Sequence, residues 1–351
     1  MLRQVAPLVR AAPDETELAR DAAAMTARLP SMALRAARSA LAGEARGALA
    51  GGPVLVQVPR RGYLAAIACD RCRAQARCAT CSGPLEVVGA REIPDCRWCG
   101  AMATDWTCAR CGSGRVRALV TGAARTAEEL GRAFPGVPVR TSGGQHVLAT
   151  VTAEPALVIA TPGAEPVASE GYAAALLLDG WALLGRPSLR AAEETLRRWM
   201  NAAALVRPAG PVVVLAEASL PAVQALIRWD PVNFSERELA ERAELGFPPA
   251  VRMASITGAS DAVADFVGSV GLPDHAEVLG PVPAGTVPGR NAGHHHQQPD
   301  EPPEPQERAL IRISRREGLA LARALHAAQA TRSARKGGAA VRVQLDPAEV
   351  A

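Results

Sequence analysis

Lysine is almost missing from this chain of 351 residues: Lys336 stands alone, and the other basic side chains are arginine. The scarcity excludes, from these residues, a phosphate-binding loop of the form G-x-x-x-x-G-K-[ST], whose lysine reaches the β/γ-phosphates. Lys336 itself lies in "ARKGGA", with no Ser or Thr behind it. Cysteine is missing everywhere except in one window, Cys69 to Cys111. No run of roughly 18 apolar residues occurs, so a membrane-spanning helix is not expected, and no membrane partner is expected either. The opening "MLRQVAPLVRAAPDETELAR" has neither a long apolar core nor a small-residue cleavage site, so a cytoplasmic location is expected. Arginine in place of lysine, alongside abundant Ala, Gly and Pro, is the mark of a GC-rich genome. A net charge of +4 and a pI of about 8.7 permit nucleic-acid binding without demanding it.

What is present is concentrated in the cysteine window. Its eight cysteines form four C-x-x-C pairs with spacers of five, fourteen and eight residues. Each pair can form a knuckle presenting two thiolates, and two knuckles close one tetrahedral zinc site. A disulfide framework is disfavoured by a reducing cytosol and by the knuckle spacing. Redox chemistry needs one C-x-x-C on a thioredoxin-like unit rather than four in tandem. Spacing alone leaves the pairing open between tandem and nested arrangements. The five-residue spacer is tight for a tandem site, and the hairpin-like "GPLEVVGAREIPDC" suits a zinc ribbon, so nesting is favoured. One zinc would then take Cys69, Cys72, Cys108 and Cys111, and the other Cys78, Cys81, Cys96 and Cys99. Sites closed by four protein ligands are structural, because no position is left for a water nucleophile.

Around the window, near-continuous apolar runs at 54–58, 156–160, 173–180 and 211–217 alternate with helical patterns at 125–135 and 189–206. Runs of this kind read as a parallel sheet covered on both faces, so a doubly wound α/β domain is expected at 53–68 and 113–232. The zinc-binding insertion is expected at 69–112, with "RVRALVTG" resuming the α/β domain. Residues 1–52 read as an Ala/Arg-rich helical segment, with Asp14 or Thr16 suited to N-capping. A C-terminal α+β domain is placed at 233–351, where β-α-β-loop-β-α-β from about Phe247 gives the split βαβ pattern. Its low-complexity tract, 284–306, is expected to be a mobile loop.

A strand leading into "RRGY", four C-x-x-C pairs ending in "CGSG", then "RTAEELGRAFPGVPV" and "FSERELAERAELGFPPAVRMASI" together resemble the primosomal protein N′ (PriA) family of replication-restart proteins. The resemblance runs from about Val54 to the C-terminus. The family is mostly superfamily 2 helicases with two RecA-like lobes, a zinc module inserted in the second, and a C-terminal domain. The resemblance implies the second RecA-like lobe, the binuclear zinc ribbon and the last domain, in a helicase-degenerate form of actinobacterial type lacking the N-terminal half. It also implies two structural zinc ions in nested sites. The implied function is recognition of abandoned or branched replication forks, primosome assembly and reloading of the replicative helicase. Implied partners are forked DNA, restart primosome components, single-stranded-DNA-binding protein and the replicative helicase or its loader.

The chain departs from the family at its catalytic motifs. A G-T-Q-type motif followed by K-G is replaced by "TPGAEPVASEGY", and Q-x-x-G-R-A-G-R by "MNAAALVRPAGP". An arginine finger stabilises the phosphoryl transition state, so its loss removes most hydrolysis, and no enzymatic activity is expected. Arg207, before Pro208 and without a second arginine, is given no catalytic role. The alternatives are an active 3′-5′ helicase whose first lobe lies outside this chain, and a zinc-ribbon interaction module with no DNA role. Arg60, Arg61 and Tyr63, before the zinc insertion, are candidate DNA contacts through phosphate pairing and base stacking. Arg97 and Trp98, inside the third C-x-x-C, are candidate partner contacts, with packing against the zinc core as the other role open to Trp98.

Overall fold

A strand apolar at every position must be covered on both faces, which in one domain means helices above and below a parallel sheet. The computed structural model describes residues 8–11, 29–43, 51–59, 66–72, 74–87, 93–96, 98–119, 123–186, 188–284, 306–335 and 338–347. The chain divides into two compact units, Met1–Phe234 and Ser235–Ala351.

The first unit begins with β1 (Leu8–Ala11), α1 (Ser31–Ala42) and β2 (Val54–Gln57). The cysteine window contributes β3 (Ala66–Cys69), β4 (Leu85–Glu86), β5 (Asp95–Cys96) and β6 (Val116–Leu119). Next come α2 (Ala123–Ala133), β7 (Val139–Ser142), β8 (Thr150–Val151), β9 (Leu157–Ala160), β10 (Val167–Ala168) and β11 (Ala174–Leu177). Helices α3 (Gly180–Leu184) and α4 (Ala191–Ala203), strand β12 (Pro211–Val214) and α5 (Pro221–Arg228) complete it, and α6 (Pro231–Leu245) runs across the division. Six strands form the main sheet in the order β1-β12-β11-β2-β9-β7, every pair parallel.

Alternation along each strand sends neighbouring side chains to opposite faces. Val54, Val56, Leu157, Ile159, Ala174 and Leu176 pack against Ala33, Ala37 and Leu41 of α1 and against Leu130 of α2. Leu55, Val158, Ala175, Leu177, Val212 and Val214 face the other way, onto Leu196 and Trp199 of α4 and Val223 and Leu226 of α5. The result is a parallel sheet doubly covered by helices.

Two sequence expectations change. Residues 1–52 do not form a purely helical segment, because Leu8–Ala11 pairs with β12 as the edge strand of the main sheet. An edge strand buries little, and of its four residues only Val9 is buried. Helix α1 starts after Pro30; Asp14 and Thr16 lie outside the described residues. The strand in "RVRALVTG" does not join the main sheet. Val116–Leu119 pairs antiparallel with Ala66–Cys69, so both strands belong to the small sheet of the cysteine window, order β5-β4-β3-β6. The insertion therefore takes in 66–119 rather than 69–112.

The second unit holds β13 (Val251–Ala259), α7 (Ser260–Ser269), β14 (Glu277–Pro283), β15 (Gln306–Ser314), α8 (Gly318–Arg335) and β16 (Arg342–Leu345). Its antiparallel sheet has the order β14-β15-β13-β16. Each strand–helix–strand unit thus straddles a strand of the other, the split βαβ arrangement. Ala254, Ile256, Ala309, Ile311 and Ile313 pack on Val263 and Phe266 of α7 and on Leu321 and Leu325 of α8. The interior of the tract at 284–306 lies outside the described residues, and at its ends Ala284 N–H donates to the Gln306 carbonyl at 2.7 Å. No helix among the described residues is long and apolar enough to cross a membrane.

Candidate metal centre

The four C-x-x-C pairs begin with the same backbone bond, and the last three complete the same turn. Cys69, Cys78, Cys96 and Cys108 each donate a backbone N–H to the carbonyl five residues on, at 2.8 to 2.9 Å. Ser82, Gly100 and Gly112 donate back to the carbonyls of Cys78, Cys96 and Cys108. That turn needs a left-handed residue after the second cysteine, with φ of 58° at Ser82, 70° at Gly100 and 71° at Gly112. Glycine adopts it freely, whereas a residue with a Cβ does so at a cost of about 1–2 kcal/mol.

The hairpin of β4 and β5, with Leu85 opposite Cys96, brings the two inner pairs together. Pairing of β3 with β6, with Cys69 opposite Val116, brings the outer pairs together. The eight Sγ atoms consequently fall into two groups, Cys69, Cys72, Cys108 and Cys111, and Cys78, Cys81, Cys96 and Cys99, each with all Sγ atoms within 4.8 Å of one another. Sγ separations are 3.5 Å for Cys69–Cys111 and Cys72–Cys108, 3.7 Å for Cys78–Cys99 and 3.4 Å for Cys81–Cys96. A disulfide would place two sulfurs about 2.05 Å apart. Four thiolates around one ion at about 2.3 Å have S···S edges of about 3.8 Å, close to the spacing seen.

The local electrostatics favour an anion at one thiol of a knuckle and not at the other. Backbone N–H groups of Cys81 and Thr80 point at the Cys78 thiol and hold its pKa down to about 6, whereas at Cys81 the Gly83 N–H is outweighed by burial and the neighbouring thiols, which push the pKa up to about 12. Thr80, Gly83 and Trp98 each aim an N–H at a ligand sulfur, of Cys78, Cys81 and Cys96 respectively, at 3.4 Å. The apolar core beneath the sites is small: Ile67, Ala76, Leu85 and two of the cysteines, Cys78 and Cys96. So little buried area holds few residues in place, and a bound ion would supply what the core lacks.

Of the five candidate DNA or partner contacts, Arg60, Arg61, Tyr63 and Arg97 lie outside the described residues. Trp98 is described and does two things. Its ring lies over Gly83, where a Cβ would come within 2.9 Å of it, and its Nε1–H donates to the Gly185 carbonyl at 3.3 Å. The sequence reading missed Gly185 and the left-handed turn positions. The repeated C-x-x-C-G of Gly100 and Gly112 was the available signal for the turns; nothing in the sequence marked Gly185.

In open parallel sheets ligands bind beyond the carboxyl ends of the strands. Here that edge is occupied by the chain's own polar groups. Gln57, buried at the end of β2, donates Nε2–H to Glu165 Oε1 at 2.6 Å, and Glu165 Oε2 accepts from Gly163 N–H at 2.8 Å. Glu194 on α4 accepts from Arg198 at 2.6 Å and from Arg186 at 3.0 Å. The Arg198 hydrogen bond, and then Arg186, hold the Glu194 carboxyl below its ordinary value of 4.5, against the opposing pull of burial. A depressed carboxylate contributes stability that is complete above its unfolded value and lost as pH falls through its folded one. Glu194→Gln is expected to cost about 1–2 kcal/mol at pH 7, less than two fully buried charge-assisted bonds would because Glu194 is part-exposed. The gap between wild type and variant should narrow below pH 4.5. Urea unfolding of both chains across that range measures it, and a gap that widens on acidification would refute the assignment.

Comparison with known proteins decides the family. The family model described as Primosomal protein N C-terminal domain matches residues 243–348. The "Probable replication restart protein PriA" of Mycobacterium leprae (strain TN) is 53% identical over 343 residues, covering 94% of this chain and 49% of that protein. This chain belongs to the PriA family. The protein of the same name from Mycobacterium tuberculosis (strain ATCC 25618 / H37Rv) is 52% identical over 343 residues, covering 95% of this chain and 50% of that PriA. A PriA from Deinococcus radiodurans is 30% identical over 257 residues, covering 67% of this chain and 27% of its own length. The chain spans about half the length of the mycobacterial PriA proteins it matches.

Proposed function

We propose that this chain acts in replication restart: it binds abandoned or branched forks and promotes primosome assembly and reloading of the replicative helicase, without hydrolysing ATP. The observation that carries the reading is the pair of closed four-cysteine sites, built into a chain half-identical to proteins named for replication restart. Both sites are read as zinc, since four soft thiolates in a tetrahedral set suit that ion. Cys69, Cys72, Cys108 and Cys111 would hold one ion, and Cys78, Cys81, Cys96 and Cys99 the other. The ions fold the module and leave no open position for catalysis.

The doubly covered parallel sheet is read as the second RecA-like lobe. Absence of nucleotide turnover is supported by the place of Arg207. Its backbone N–H donates to the Tyr172 carbonyl at 3.0 Å, and its guanidinium lies beside Gly52, at the amino end of β2. Ligands of open parallel sheets bind at the opposite edge. Arg60, Arg61, Tyr63 and Arg97 are the proposed contacts to DNA or a partner protein, with single-stranded-DNA-binding protein and the helicase or its loader as partners, in the cytoplasm.

The test is a titration of the zinc-loaded chain against forked and plain duplex DNA, with chelator-treated chain alongside, at several salt concentrations. Fork preference that disappears with the metal, with a log–log salt slope set by the phosphates contacted, is expected. Equal weak binding to both DNAs, or none, would contradict the reading.

A further inference from the structure

The two cysteine sites differ in what they touch. Around the first, bonds close within the module: Asp70 accepts from Ser113 Oγ at 2.9 Å and from Arg115 Nε at 3.0 Å, and Asp70 N–H donates to the Arg115 carbonyl at 3.0 Å. Around the second, the chain reaches across to the loop that follows α3. Trp98 lies between its ligands Cys96 and Cys99, its backbone N–H is directed at Cys96 Sγ, and its indole N–H is bonded to the Gly185 carbonyl. Pro84, just after the Cys78–Cys81 knuckle, is also near Gly185, its Cγ 3.8 Å from where a Cβ on that glycine would sit.

The loop end of this contact is itself braced. Gly185 N–H donates to the Trp181 carbonyl at 2.8 Å. The next residue, Arg186, donates Nε–H to the Leu183 carbonyl and Nη1–H to Glu194 on α4, both at 3.0 Å. Glu194 in turn binds Arg198, whose carbonyl accepts from Gln57 at the end of β2 at 3.4 Å. A continuous path of hydrogen bonds therefore leads from a ligand of the second site to the carboxyl edge of the parallel sheet.

We infer that Trp98 is the pin by which the second cysteine site, more than the first, fixes the module to the parallel-sheet scaffold. The inference rests on the reading that both sites hold metal. An ion drawn in by Cys78, Cys81, Cys96 and Cys99 fixes the knuckle that carries Trp98, and the ring, seated on a glycine too small to displace it, sets the indole donor at Gly185. Loss of the ion frees the knuckle, the indole leaves the carbonyl, and the backbone at Gly185 and Arg186 loosens at the edge where α4 and β2 meet. Loss of the first ion leaves the Trp98 contact in place.

Hydrogen–deuterium exchange of the Gly185 and Arg186 amides in the full zinc-loaded chain tests this, with zinc counted by elemental analysis in each sample. Trp98→Phe keeps a smaller ring over Gly83 and removes the indole donor. It is expected to retain both ions and to speed exchange about threefold to tenfold, the loss of one hydrogen bond of about 0.7–1.4 kcal/mol. The double variant Cys96→Ser, Cys99→Ser should speed it at least as much, and Cys108→Ser, Cys111→Ser by less than about twofold. Unchanged exchange in a Trp98→Phe chain that keeps both ions, or equal effects of the two cysteine pairs, would overturn the inference. A wild-type chain without zinc would overturn the metal reading separately, while the Trp98→Phe exchange still judges the pin.

Discussion

Stripping the metal at neutral pH is expected to unfold residues 66–119 while the six-stranded sheet keeps its far-UV signature. The small sheet has strands of only two to four residues, and the core beneath it is three apolar side chains and two cysteines. Isolated short hairpins are marginal in water. A structural zinc site contributes about 10–16 kcal/mol of binding free energy at neutral pH, far more than so small a core can. The main sheet does not share this dependence, since its own core runs over both faces from Val54 to Leu226. Trypsin reads the difference directly, because Arg71, Arg77, Arg110 and Arg115 all lie in the module. Rapid cleavage there after chelation, with Arg197 and Arg198 on α4 still protected, is the expected result. A module equally resistant with and without metal would mean that protein contacts alone hold it.

Trp199→Ala is expected to cost about 3–5 kcal/mol, the largest effect of any single core truncation in the parallel-sheet unit. Trp199 is completely buried between α4 and the sheet, in the cluster that includes Leu55, Leu177 and Val214. Part of the cost is apolar area lost and part is the cavity left behind. Collapse into that cavity is restricted, because the backbone of Gly180 is packed so closely that a Cβ there would come within 3.0 Å of the ring. Denaturant unfolding followed by far-UV circular dichroism measures the change; a loss below about 1 kcal/mol would show that α4 repacks freely.

How much of this was legible depended on burial. The strands at 54–57, 157–160 and 174–177 are buried at every position, so the sequence shows them as unbroken apolar runs. β1 escaped notice because an edge strand carries no such run: "LVRA" buries a single side chain. "VRAL" at 116–119 was assigned to the wrong sheet, because so short a run with three apolar side chains reads equally as a strand of either sheet. The eight cysteines stood out by type and spacing, and the hairpin between the inner pairs could be read from "GPLEVVGAREIPDC". The contact of Trp98 with Gly185 could not be read, because it joins residues 87 positions apart through a backbone carbonyl that any residue possesses. The brace of Arg186, Glu194 and Arg198 was invisible for a related reason. Among so many arginines, no single one is marked out by composition.

The proposed role in replication restart rests on two closed four-cysteine sites, read as zinc, that organise the 66–119 module. X-ray absorption at the zinc edge of the purified full chain, with the metal counted in the same sample, tests that reading most directly. Two zinc ions per chain, each with four sulfur neighbours at about 2.3 Å and no nitrogen or oxygen neighbour, is the predicted result. Fewer than two ions, or a first shell containing oxygen, would contradict the account.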